Sequence, residues 1–298
     1  MPGQAPAASA VPAGDGDGAA RPVPAGGGVA DAGTAGVVPA DDGTAGVVPA
    51  DDGTAGVMPA DDGTAGVVPA RDARPFDALL LDYGGVVSRS TFELLPLLGE
   101  RHPQVRGLLR RRGTLGAEHD DLWARMTRRE ISEREYWSRR AAEFGRAFGA
   151  EWDVRDLMAW LEDGEISEAE RVRPEAAELV TDARSAGLLV GVLSNDLAAF
   201  HDEDWLERQQ LLRQADVVVD GSVTGVLKPD PRIYLAAAAR LGTAPERVVF
   251  VDDIPWNVAG AEAVGMTAYL LDLADPAAAF GLARKVLGLP PALATRPS

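Results

Sequence analysis

From Phe76 onward the apolar residues fall into short, unbroken runs separated by longer amphipathic stretches. "DALLLD" (77–82), "LLVGVLSND" (188–196), "ADVVVDG" (215–221), "RVVFVDD" (247–253) and "MTAYLLD" (266–272) show little alternation of apolar and polar positions. Runs of this kind read as strands buried on both faces. Between them lie helical patterns. "RPEAAELVTDARSAG" (173–187) has Pro174 in its first turn and Gly187 past its end. "DPRIYLAAAARLG" (230–242) is capped by Asp230, begun by Pro231 and stopped by Gly242. "NVAGAEAVG" (257–265) is a third helix. Residues 92–170 read as mostly helical and highly charged. There Ser132 and Glu135 have the spacing of a capping box, and Ile131 can staple onto Tyr136. Trp123, Tyr136, Trp137, Trp152 and Trp160 are expected to pack between these helices. Strands alternating with helices predict an α/β fold, a Rossmann-like, doubly wound parallel sheet.

Residues 1–75 lack this pattern. They are Ala, Gly, Pro and Asp, with four near-identical ten-residue units at 31–70 of the type "DDGTAGVVPA". Each unit offers one Val-Val or Val-Met pair for burial. That cannot offset backbone ordering at about 1–2 kcal/mol per residue, so a disordered tail is expected. Ten Asp and three Arg give this segment −7 of the formal net charge of −17, and the remaining −10 falls on the body. An acidic surface repels nucleic acid and anionic membrane, so neither is an expected partner. The absence of Cys rules out disulfides and thiolate metal sites and suits a reducing cytoplasm. No basic start with an apolar core suggests a signal peptide, and no apolar run reaches 18 residues.

Ligands of parallel sheets sit at the carboxyl ends of the strands. The first run ends in Asp82, the second in Ser194-Asn195-Asp196, the fourth in Asp252-Asp253, and Lys228 stands in "LKPDP" before a helix. Adjacent carboxylates repel unless a cation joins them, and oxygen ligands favour a hard divalent ion such as Mg²⁺. A hydroxyl, an ammonium and backbone N–H groups suit phosphate oxygens. These residue types point to metal-assisted phosphoryl transfer with Asp82 as nucleophile or ligand. His119 and His201 are expected at the surface.

"LLLDYGGVV", "VLSND", "LKPDPRIY" and "VFVDDIPWNVAGAEAVG" stand in the order and spacing of the four motifs of the haloacid dehalogenase-like hydrolase superfamily, which the chain resembles from residue 76 to about 275. The resemblance is nearest to the branch with a helical cap inserted after the first motif, similar to the N-terminal phosphatase domain of soluble epoxide hydrolase. It implies a core of residues 76–89 and 173–290 and a cap of residues 90–172. It implies further that Asp82 forms an aspartyl-phosphate, that Ser194 and Asn195 bind the phosphoryl group, and that Lys228 orients the nucleophile and neutralises phosphate. Mg²⁺ would be held by Asp82, the Gly84 carbonyl and Asp253, with Asp252 and Asn257 around it. The implied substrate is a small phosphorylated metabolite.

One residue departs from the family's usual pattern. Most of its phosphatases place an Asp two residues after the nucleophile to protonate the leaving group, and here that position is Gly84. Such acid–base help is worth about 10²–10⁴ in rate. A good leaving group, another acid, or a protein that binds phosphorylated ligands with little turnover would each account for the gap. Metal-independent 2-haloacid dehalogenation also starts from a lone Asp, but those members carry Ser where Asp252-Asp253 stands. For the repeat segment, deletion of residues 1–72 is expected to leave the melting temperature and activity of the body unchanged; a large loss of either would show that the segment folds onto it.

Overall fold

The computed structural model describes residues 74–292, apart from 112, 117 and 163–165. The expected tail therefore lies, as far as residue 73, outside the described residues. The chain enters the fold through β1 (Ala78–Leu81) and leaves it for a helical stretch. That stretch holds α1 (Thr91–Arg101), α2 (Asp121–Thr127), α3 (Glu133–Ala147), α4 (Val154–Glu162) and α5 (Glu168–Arg171). It returns through α6 (Pro174–Ser185), β2 (Leu189–Ser194), α7 (Leu197–Phe200), α8 (Glu203–Arg208) and α9 (Gln210–Gln214). Then come β3 (Val217–Asp220), α10 (Gly221–Thr224), α11 (Pro231–Arg240), β4 (Val248–Asp252), α12 (Pro255–Ala263), β5 (Thr267–Leu270) and α13 (Pro276–Leu287).

The five strands form one parallel sheet in the order β3-β2-β1-β4-β5. The chain starts in the middle, winds outward to β3 and then crosses to the other side of β1. That reversal puts a crevice beside the carboxyl ends of β1 and β4. Register aligns Leu81 with Val192 on one side and Val251 on the other, so Asp82 emerges beside Asp252. All five predicted strands are present, each shorter than its apolar run because the flanking polar residues leave the ladder to make turns and caps.

Alternate residues of each strand point to opposite faces. Leu79, Leu81, Val190, Val192, Val249 and Val251 pack beneath α6 and α13, against Leu179, Val180 and Phe280. Leu80, Leu193, Val219 and Phe250 pack under α11 and α12, against Ile233, Tyr234 and Ala261. Burial on both faces is why the runs show so little alternation. The helical stretch has its own apolar centre, where Leu95, Leu98, Phe144 and Leu157 meet. Its aromatics pack as expected: Trp123 lies edge-on to Tyr136, Tyr136 to Trp137, and Trp152 tilts against Trp160.

The start of α3 corrects one expectation. Ser132 caps it by accepting from the Glu135 amide at 3.1 Å. The Glu135 carboxylate, however, takes Arg139 one turn on rather than closing the box, because an ion pair on the same helix face competes for it. Ile131 and Tyr136 share a buried cluster, as a staple requires.

Two crossings join the helical stretch to the sheet, and they pair with each other through a bridge between Ser88 and Val172. Beside it the buried Arg173 donates to the Gly85 carbonyl at 2.9 Å and to both oxygens of Glu93. A buried cation removed from its carboxylate leaves an uncompensated charge. Arg173→Met is therefore expected to lower the unfolding free energy by about 3–5 kcal/mol in urea titration; a loss below about 1 kcal/mol would show that Glu93 finds water or another donor.

Candidate active site

Lys228 is the centre of the site, and its ammonium is almost wholly buried. Nζ donates to Asp82 Oδ1 at 2.7 Å, to Asp252 Oδ2 at 2.7 Å and to the Leu193 carbonyl at 3.0 Å. It also lies 5.7 Å from the centre of the Phe250 ring. An ammonium has three donors, so none is left over for a substrate in this arrangement. The contact to Asp82 is the one that an orienting role for Lys228 would use. Burial alone would depress the lysine's pKa, but Asp252 and Asp82 outweigh it and raise the value.

Asn195 lines the cleft, and its side chain brackets the lysine's backbone, accepting from the Lys228 amide at 2.7 Å and donating to the Lys228 carbonyl at 3.4 Å. The peptide bond from Lys228 to Pro229 is cis. Ser194, the last residue of β2, lines the cleft, and its hydroxyl makes no hydrogen bond to another described residue.

Asp252 and Asp253 are neighbours with different surroundings. Asp252 has no exposed surface and accepts from Lys228, the Ile254 amide and Asn257 Nδ2. Asp253 lines the cleft and receives no hydrogen bond from a described residue. It packs on Gly85, where a Cβ would stand 2.3 Å from Asp253 Oδ2. Gly85 also has φ +85°, a conformation that disfavours any side chain. The second glycine of the opening motif thus admits Asp253, a role that the sequence did not reveal.

Oxygens of Asp82, Asp252 and Asp253 converge within 4.8 Å of one another. Burial first, then the Asp252 charge against the help of Lys228, pushes the Asp82 carboxyl up to about 7. Burial and the charges of Asp252, Asp82 and Glu133 hold Asp253 well above the carboxylate range. Three carboxylates against one ammonium leave two negative charges when all are ionised. The Asn257 Oδ1 atom is buried and unpartnered. An oxygen-only donor set with two uncompensated charges and an orphaned carbonyl fits a hard divalent cation.

The cleft over these groups is roofed by residues that no motif marked. Phe92, Trp123, Met126 and Trp137 supply an apolar wall, and Arg89 and Arg171 come from the two crossings. The Arg89 Nε atom is buried without a hydrogen-bond partner. Glu133, the first residue of α3, also lines the cleft. His201, close behind the second motif, lines the cleft and stacks on Trp205 at 3.6 Å. His119 is exposed beside Asp121, as expected.

A family model of haloacid dehalogenase-like hydrolases matches residues 76–265. The chain belongs to that family. Phosphatase MT3486 of Mycobacterium tuberculosis is 40% identical over 99 residues, 33% of this chain and 46% of the relative. (S)-2-haloacid dehalogenase 4A of Burkholderia cepacia is 35% identical over 96 residues, 31% of this chain and 39% of the relative. Phosphoserine phosphatase of Thermus thermophilus is 29% identical over 177 residues, 57% of this chain and 65% of the relative. The matches span less than two thirds of these relatives' own length. Among solved structures, a HAD phosphatase from Thermococcus onnurineus aligns with 73% of this chain and 100% of its own at 20% identity and a TM-score of 0.45. Among the described residues no helix is long and apolar enough to cross a membrane.

Gly84 and Gly85 make opposite predictions. A Cβ at Gly84 would meet nothing within 4 Å. Gly84→Ala should stay within about 0.5 kcal/mol of the parent in urea unfolding, and Gly85→Ala should lose about 1–3 kcal/mol or more. Equal stability of the two variants would contradict this reading of the loop.

Proposed function

We propose that this haloacid dehalogenase-like hydrolase is a Mg²⁺-dependent phosphatase of a small phosphorylated metabolite. The observation that carries the reading is the convergence of the Asp82, Asp252 and Asp253 carboxyl groups beside the single ammonium of Lys228. Attack of a lone Asp on carbon, as in dehalogenation, needs no second pair of acids at the end of β4.

Asp82, Asp253 and the Gly84 carbonyl would hold the ion, with Asp252 and Asn257 behind them. When bound, it neutralises the phosphoryl oxygens and favours the ionised form of the neighbouring carboxylates. Asp82 has one oxygen held by Lys228 and another free of it. The free oxygen bonds to phosphorus while the bond to the leaving oxygen breaks. Ser194 donates its hydroxyl to a phosphoryl oxygen. Water then attacks phosphorus, and the electron pair of the Asp82–phosphorus bond returns to the carboxylate. The helical stretch acts as a cap whose apolar wall selects the substrate. The unpartnered Arg89 Nε favours a substrate with a further acceptor away from its phosphate. The cysteine-free composition supports a cytoplasmic setting.

The test is hydrolysis of 4-nitrophenyl phosphate by the full chain. Turnover should require Mg²⁺, vanish with EDTA and fall by at least ~10³ in Asp82→Asn. EDTA-resistant turnover, or full activity without the Asp82 carboxylate, would sink the proposal. Halide release from a 2-haloacid without metal would establish dehalogenation instead. Tight phosphate binding without turnover would mark a ligand-binding protein.

A further inference from the structure

The phosphatase reading leaves one proton without a donor. The oxygen that departs from phosphorus takes the bonding electrons and must be protonated, and Gly84 offers nothing. The position is also open: a side chain built there would meet no atom within 4 Å. A group reaching across the cleft can occupy that space.

Few groups on the cleft can supply the proton. Asp82 is the nucleophile and Asp253 serves the cation. Asp196 is ion-paired to Arg134. Arg89 and Arg171 carry guanidinium groups, which serve as hydrogen-bond donors to anions. Tyr83 donates its phenol to Gln209 at 3.2 Å. His201 lies flat on Trp205, only 8° from parallel. Glu133 remains, and it makes no hydrogen bond or ion pair with another described residue.

Its placement is built rather than incidental. Glu133 opens α3, directly after the capping Ser132, and faces the same cleft as Asp82, Ser194 and Lys228. The next residue, Arg134, reaches from the helical stretch to Asp196, two residues beyond Ser194. That pair fastens the first turn of α3 to the loop that follows Ser194 at the end of β2. Two adjacent residues thus divide the work, one anchoring the helix and the other free in the cleft.

We propose that Glu133 is the acid that Gly84 lacks, giving its proton to the leaving oxygen as Asp82 takes the phosphoryl group. This rests on the phosphatase reading. The resulting carboxylate then accepts a proton from the water that attacks phosphorus, which restores the acid and releases inorganic phosphate. Burial and the nearby Asp82 charge push the Glu133 carboxyl up to about 7, the direction a proton donor needs. The general acid would then belong to the helical insertion, not to the loop after β1.

The test compares the wild type, Glu133→Gln and His201→Gln on an alkyl phosphate and on 4-nitrophenyl phosphate, following the first turnover by rapid quench. An alkoxide needs the proton far more than a nitrophenolate does. Glu133→Gln should lose about 10²–10⁴ in first-turnover rate on the alkyl ester and less than about 10-fold on the aryl ester. The retained aryl rate also shows that the variant is folded. Equal losses on both esters, or no loss, would overturn the assignment. So would a leaving-group-dependent loss in His201→Gln with Glu133→Gln unaffected. A wild type that turns over neither ester with Mg²⁺ sinks the phosphatase reading and this assignment with it, whereas normal wild-type turnover with the wrong variant pattern sinks only Glu133.

Discussion

The buried ammonium of Lys228 holds the site together. A cation withdrawn from water is costly unless every donor finds a partner and opposite charge stands beside it. Lys228 meets both conditions with Asp82, Asp252 and the Leu193 carbonyl. These acceptors come from β1, β4 and β2, three adjacent strands of the sheet. The strand order is thus a precondition of the charge arrangement. Only where β1 lies between β2 and β4 can one lysine reach all three. The lysine is fixed in turn by Asn195, which grips its backbone from the loop after β2.

Compensation is incomplete when all three carboxylates are ionised. Lys228 cancels one of three carboxylate charges, and burial keeps water from cancelling the others. Asp82 and Asp253 consequently resist ionisation until positive charge arrives. A structural ion pair would have been balanced. In the proposed reaction such a cluster would hold the cation beside Asp82.

The sheet and the core half of the site were legible because both follow from local sequence. Unbroken apolar runs marked the strands, and strand ends marked Asp82, Ser194 and Asp253. What stayed hidden depends on partners distant in sequence. Asp252 and Asp253 are identical residue types, and only the fold turns one toward Lys228 and the other toward Gly85. Asn195 reads as a cleft residue, and nothing local says that its side chain will also hold the Lys228 backbone. Arg173 reads as the residue before a helix, and nothing local says that it will clamp Gly85 and Glu93. Glu133 sits where an acidic residue is ordinary, in the first turn of a helix whose dipole favours it, so its position concealed any chemical use. The Glu135 side chain shows the opposite failure: a motif with the right spacing yields to an ion pair one turn away.

An acid carried by the insertion has a consequence that an acid on the core loop would not have. A carboxyl at position 84 would attend Asp82 whether or not the helices were docked. Glu133 would attend it from an insertion held over the strand ends by Arg134 on Asp196 and by Arg155 on the Ala198 and Ala199 carbonyls. The ion pair joins a half-exposed arginine to a nearly buried aspartate, so it is screened on one side and protected on the other. The proposed proton supply would thus depend on how the insertion is held over the strand ends, whereas a carboxyl at position 84 would not.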